Sequence, residues 1–179
     1  YLVEVYGYAS QINWNYAITI AAPLDTTPPT VTSASFDYNT GWGVGVNFSE
    51  IVSGFGPETC TFYNDTTSTP LPSPEIYDNW PGASNWVGYR HAIPDGNYTM
   101  TIHSGQVQDL GYHALDGNAD TTAGDDYQFS FFALSGDANR DRTVDTADFL
   151  LLANDFNVAG MNFDGGDFNH DGKVNALDF

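Results

Sequence analysis

A fourteen-residue segment occurs twice near the C-terminal end, as GDANRDRTVDTADF (136–149) and GDFNHDGKVNALDF (166–179). Aligned, Asp137, Asn139, Asp141, Thr143, Asp145 and Asp148 share their offsets with Asp167, Asn169, Asp171, Lys173, Asn175 and Asp178. Counted from the first acid, each copy has valine at place 8 (Val144, Val174) and phenylalanine directly after place 12 (Phe149, Phe179). A hard cation such as Ca²⁺ takes about six to eight oxygens at roughly 2.3–2.6 Å, and a twelve-residue loop supplies them from places 1, 3, 5, 7, 9 and 12. Place 7 gives its backbone carbonyl, so Thr143 and Lys173 need no particular side chain. The carboxylate at place 12 closes the cage from the first turn of a following helix. These twelve residues are therefore candidate ligands of two Ca²⁺ ions. A pair of Asp/Asn-rich turns that bind nothing would not demand this register.

Two places depart from the EF-hand pattern. Place 12 is Asp where that motif has Glu. Place 6 calls for glycine to make a sharp turn, which Gly172 provides and Arg142 does not, so the first loop fits the pattern less closely. The duplicated loop with Asp at place 12 resembles the dockerin type I repeat, over residues 136–179. The resemblance implies that each loop leads into a helix and that the pair docks onto a cohesin domain of another protein. ADFLLLANDF (147–156) reads as the first helix, with Phe149, Leu150, Ala153 and Phe156 at helical spacing. The second helix is expected to begin where the sequence ends at Phe179, so the module at 135–179 reads as truncated. Places 10 and 11 are associated with partner choice in that family and are often Ser/Thr pairs. Here they are Thr146-Ala147 and Ala176-Leu177. The expected partner is a cohesin-like domain or further copies of this chain.

Residues 30–134 alternate in short runs separated by turn chemistry, which suggests a β-sandwich. The clearest are VTSASF (31–36), GVGVNF (43–48), CTFYN (60–64), NWVGYR (85–90), YTMTI (98–102) and YQFSFF (127–132). NFSEIV (47–52), DGNYTMTI (95–102) and VQDLGYHALDGN (107–118) resemble segments of the bacterial Ig-like family, which implies a scaffold and says nothing of function. Trp42, Trp80, Trp86 and Tyr89 read either as core residues or as a sugar-binding face. Residues 1–22 hold two alternating runs that suggest a β-hairpin. They resemble the closing strands of the bacterial pre-peptidase C-terminal domain, which makes them the end of a preceding β-domain. PLDTTPP (23–29) is a linker that its prolines keep extended. The opening without Met and the abrupt end read as a piece of a longer secreted protein. Overall, the expected fold is mainly β: an N-terminal hairpin stub, an Ig-like sandwich and a small α-helical tandem calcium module.

The balance of 4 Lys+Arg against 23 Asp+Glu, a net charge of −19, argues against nucleic acid and anionic membrane partners. It suits cation binding and an extracellular or cell-surface setting, which the bacterial resemblances share. A further D-x-N-x-D opening occurs at Asp116, Asn118 and Asp120, and with Asp25 and Asp109 it marks a third candidate Ca²⁺ site. The alternative there is a solvated acidic loop. Three N-x-S/T triplets begin at Asn47, Asn64 and Asn97. Cys60 has no cysteine to pair with, so a buried structural thiol is expected. The motifs G-x-S-x-G, H-E-x-x-H, the P-loop and C-x-x-C are all missing, and His91, His103, His113 and His170 are scattered. The residues therefore point to a non-catalytic structural or adhesive segment of a modular protein. Two alternatives remain: an anchoring tail of a secreted hydrolase, or a filament subunit whose N-terminal hairpin adds to a neighbour's sheet.

Overall fold

The computed structural model of the chain describes residues 25–39, 42–77, 82–90 and 92–178. The expected N-terminal hairpin lies outside the described residues, as do Trp80, His91 and Phe179. Among the described residues, nine strands run β1 (Val31–Asp37), β2 (Trp42–Ser53), β3 (Cys60–Asn64), β4 (Thr69–Pro70), β5 (Ile76–Tyr77), β6 (Gly82–Tyr89), β7 (Gly96–Ile102), β8 (Gln108–Asp109) and β9 (Tyr127–Ala133). They are followed by helix α1 (Thr146–Asn154) and a 3₁₀ turn at Phe163–Gly165. One sheet has the order β1-β2-β6-β5, with β8 joined to the far end of β2, and the other has the order β4-β3-β7-β9. All the strand pairs are antiparallel.

The six expected strands correspond to β1, β2, β3, β6, β7 and β9. β2 runs on to Ser53 because its register against β6 shifts between Asn47 and Val52, where β8 also joins it. β4, β5 and β8 have two residues each, too few for alternation to reveal.

Alternation sets the core. Tyr98, Met100 and Ile102 on β7 are fully buried, and they face Val44 and Val46 of β2 and Val87 of β6 within one apolar cluster. Rings bind the two sheets together. Phe36 stacks on Phe131 with centroids 4.3 Å apart, and Phe62 meets Tyr89 edge-on at 5.4 Å. Trp42 and Tyr89 belong to this core, so the sugar-face reading does not describe them. Half-buried Trp86 lies across Gly43 and Gly88, where an added Cβ would stand 2.3 Å and 2.6 Å from its ring. Cys60 is buried as expected, and burial pushes its thiol up to about 12.

Helix α1 ends at Asn154, short of the expected Phe156, and the residues at helical spacing do not mark its buried face. Phe149, Leu150 and Phe156 are 50%, 62% and 42% exposed, while Asp148 and Leu152 are buried. The helix must turn Asp148 toward its loop, and Leu152, one turn on, follows it inward. There Leu152 packs on Gly166, whose backbone is left-handed at φ 99°.

Candidate metal centres

The two duplicated loops share one set of bonds from backbone N–H groups to side-chain oxygens. In the first, the Asp137 carboxylate accepts the N–H groups of Asp141 (3.0 Å) and Arg142 (2.8 Å). In the second, Asp167 accepts those of Asp171 (3.1 Å) and Gly172 (2.9 Å). Asn139 and Asn169 accept from places 5, and Asp141 and Asp171 accept from places 7. Asp148 closes its loop by accepting from Asn139 and Asp145, as Asp178 does from Asn169 and Asn175. Asp145 also caps α1, with Asp148 completing a capping box.

This arrangement gathers oxygens and leaves charge over. Asp137, Asp148, Asp167 and Asp178 are 1%, 2%, 2% and 6% exposed. An ionised carboxylate has about four lone-pair sites, and each of these four uses two of them on N–H donors in the bonds above. The donors are oxygens throughout, without thiolate or imidazole, which suits a hard cation such as Ca²⁺. The side chains at places 1, 3, 5, 9 and 12 and the carbonyls of Thr143 and Lys173 would hold it. Bound there, it would neutralise clustered carboxylates.

Place 6 has the same backbone in both loops, although only the second has glycine there. Arg142 adopts the left-handed backbone of place 6 at φ 72°, beside 81° for Gly172. Place 4 is left-handed as well, at Arg140 (φ 61°) and His170 (φ 60°). A left-handed L-residue costs about 1–2 kcal/mol. All three side chains meet the end of the sandwich. Arg140 lies over the Tyr38 ring at 4.7 Å and pairs with Asp164. Arg142 lies over Phe132 at 4.2 Å and donates to the side-chain oxygen of Asn97 at 2.8 Å. His170 meets Trp42 edge-on at 5.0 Å and stacks near Phe163 at 6.1 Å. Phe163 is fully buried against Tyr38 and Trp42.

The valines at place 8, alike in sequence, differ in surroundings. Val174 is fully buried, with its backbone paired to Val158 and Asn157, whereas Val144 is 53% exposed. Val144 lines a groove of about 470 Å³ with Phe149, Leu152, Phe168 and Leu177.

Among the described residues, two further acidic clusters lie on the sandwich side of the chain. Asp116, Asn118 and Asp120 repeat the pattern of places 1–7. Asp116 accepts from Asp120 (3.2 Å) and Thr121 (2.8 Å), Asn118 from Asp120, and Asp120 from Thr122. Ala119 and Thr121 are left-handed, at φ 59° and 76°. Asp125 closes the group instead of a helical acid, brought there by its parallel bridge to Asp116. The spacing along the chain gives no sign of it. The second cluster joins Asp25, Asp109 and His113. Asp109 accepts from both the backbone and the ring of His113 at 2.8 Å, and this bond holds the imidazole above its ordinary value. Burial, then the neighbouring Asp25 charge, pushes Glu50 up. His113 and Asp125 were not legible as members of these groups: a turn returns His113 to Asp109, and a bridge between separate segments brings Asp125 to Asp116.

Asn64 is buried and donates to the Tyr98 hydroxyl at 2.9 Å, which leaves its triplet closed to glycan attachment in the folded chain. No helix among the described residues is long and apolar enough to cross a membrane.

No curated protein matches the chain. Among solved structures, the chain is similar to one titled surface layer protein SbsC, domains 1–6, at 18% identity and a TM-score of 0.41. That similarity covers 57% of this chain and 13% of the other. Residues 135–179, which hold both loops and α1, match the family model of the dockerin type I domain, a calcium-binding and protein-docking module.

Proposed function

We propose that the chain is a non-catalytic segment of a larger extracellular or cell-surface protein, in which an Ig-like sandwich at 30–134 carries a calcium-dependent docking module at 135–179. The observation that carries this reading is the repetition of one hydrogen-bond pattern in two loops whose acids have no sequence reason to align unless they share a ligand. The first loop holds four carboxylates (Asp137, Asp141, Asp145, Asp148) and the second three (Asp167, Asp171, Asp178). Their mutual repulsion makes folding of the loops depend on the cation. The twelve residues named from the sequence are the proposed ligands. A third ion at Asp116, Asn118, Asp120 and Asp125 extends the same chemistry into the sandwich, with Asp25 and Asp109 as a weaker neighbour. The proposed partner is a cohesin-type domain. An anchoring tail of a secreted hydrolase would use the same module for the same attachment, with a catalytic domain as its cargo.

Calorimetric titration of the chain with Ca²⁺ tests this. Two ions are expected in the duplicated loops, and Asp137→Ala with Asp167→Ala should abolish both. A third ion that survives the double variant and disappears with Asp116→Ala would place the sandwich site. Chelation should remove the helical circular dichroism. Titration without heat, or an unchanged isotherm in the double variant, would overturn the metal reading.

A further inference from the structure

The chain has 4 Lys+Arg in all, and two of them occupy places 4 and 6 of the first loop. Neither place supplies a side-chain ligand, so neither arginine is there for the cation. Both have left-handed backbone, where glycine would be free of strain. Place 6 is the position at which such a loop asks for glycine, and the second loop has Gly172 there. What the first loop gains from Arg142 is contact with the sandwich: the Phe132 ring at 4.2 Å and the Asn97 side-chain oxygen at 2.8 Å. Asn97 is itself held in place, since its N–H donates to the Thr66 hydroxyl and its carbonyl accepts from Asp65. Phe132 sits opposite it on β9. The acceptor and the ring therefore present a prepared surface to the arginine.

We propose that the sandwich acts through Arg142 as a brace that holds the first loop in its cation-binding backbone, so that calcium affinity and the sandwich–module joint are linked. The inference rests on the calcium reading above. Arg142 N–H donates to Asp137, so the backbone that the brace fixes is also the one that aims the place-1 carboxylate. Linkage runs both ways: whatever the joint adds to cation affinity, the cation returns to the joint. The second loop has glycine at place 6 and gets no such brace there, which provides an internal reference.

The test exploits a reversal of sign. If Arg142 is only a strained residue in a glycine position, Arg142→Gly relieves the strain and tightens calcium binding. If it is a brace, Arg142→Gly weakens binding at one of the two sites and leaves the other unchanged. Calcium calorimetry on the full chain should show about a five-fold or greater weakening at that one site. Asn97→Ala, a sandwich substitution that touches no loop backbone, should weaken the same site. It should also reduce the rise in the sandwich's melting midpoint that calcium brings. Affinity equal to or above the wild type in Arg142→Gly overturns the brace, and so does an unchanged isotherm in Asn97→Ala. If Arg142→Gly does not fold, Asn97→Ala decides alone. A wild-type chain that binds no calcium overturns the metal reading itself, a different result from tight binding by the variants.

Discussion

Cys60 shows how far one residue's chemistry follows from its place. It sits on β3 with its side chain in the core, near the Thr59 hydroxyl, and burial pushes its thiol up to about 12. Thiolate is the reactive form, so at pH 8 the folded chain offers almost none. Native protein should resist iodoacetamide at that pH, and denatured protein should react at the rate of a free thiol. Rapid native alkylation would contradict the buried position. The same reasoning separates the tryptophans and tyrosines by environment rather than by type. Trp42 and Tyr89 are core, and Tyr89 donates from its hydroxyl to the Pro72 carbonyl at 2.7 Å. A buried phenol needs such a partner, and here it has one.

At the scale of elements, the contact between α1 and the 3₁₀ turn decides whether the module holds its shape. Gly166 ends that turn at φ 99°, and a Cβ there would lie 2.7 Å from the Leu152 Cα. Both the backbone conformation and the close approach exclude other residues. Gly166→Ala should therefore cost about 2 kcal/mol or more, measured by denaturant unfolding followed through the helical signal. Gly105→Ala is the control, because an added Cβ there meets nothing within 4 Å and the backbone is not left-handed. A loss at Gly166 no larger than at Gly105 would mean that the helix does not depend on this contact. The helix itself is short and carries no basic residue in its last turn. Its stability must come from the Asp145–Asp148 capping box and from burial of Leu152, since nine residues of intrinsic propensity are marginal in water.

Across the whole molecule, Phe163 joins two parts that the sequence presents as separate. It is fully buried, lies 5.6 Å from Tyr38 and 6.1 Å from Trp42, and belongs to the same apolar cluster as the sandwich core. Phe163→Ala should cost about 3–5 kcal/mol. In calcium it should split unfolding into two steps, seen as separate helical and aromatic transitions. A single transition with a loss below about 1 kcal/mol would show that the joint does not depend on this ring. The duplicated acids were legible because ligand spacing is a local property: places 1, 3, 5 and 12 lie within one short stretch of chain. The six longer strands were legible for a similar reason, since alternation records which side of each strand meets the core. The short strands β4, β5 and β8 were not, because two residues cannot show alternation, and neither were the closing role of Asp125 and the burial of Phe163, because each depends on how separate segments meet. Which face of α1 is buried was not legible, because apolar spacing marks a stripe without saying what covers it. By itself, the sequence determined the mainly β character, the two oxygen-lined loops and the acidic charge, all of which follow from residue type and short-range order. Only the tertiary structure decided that Arg140, Arg142 and His170 face the sandwich, because that depends on how the two parts pack.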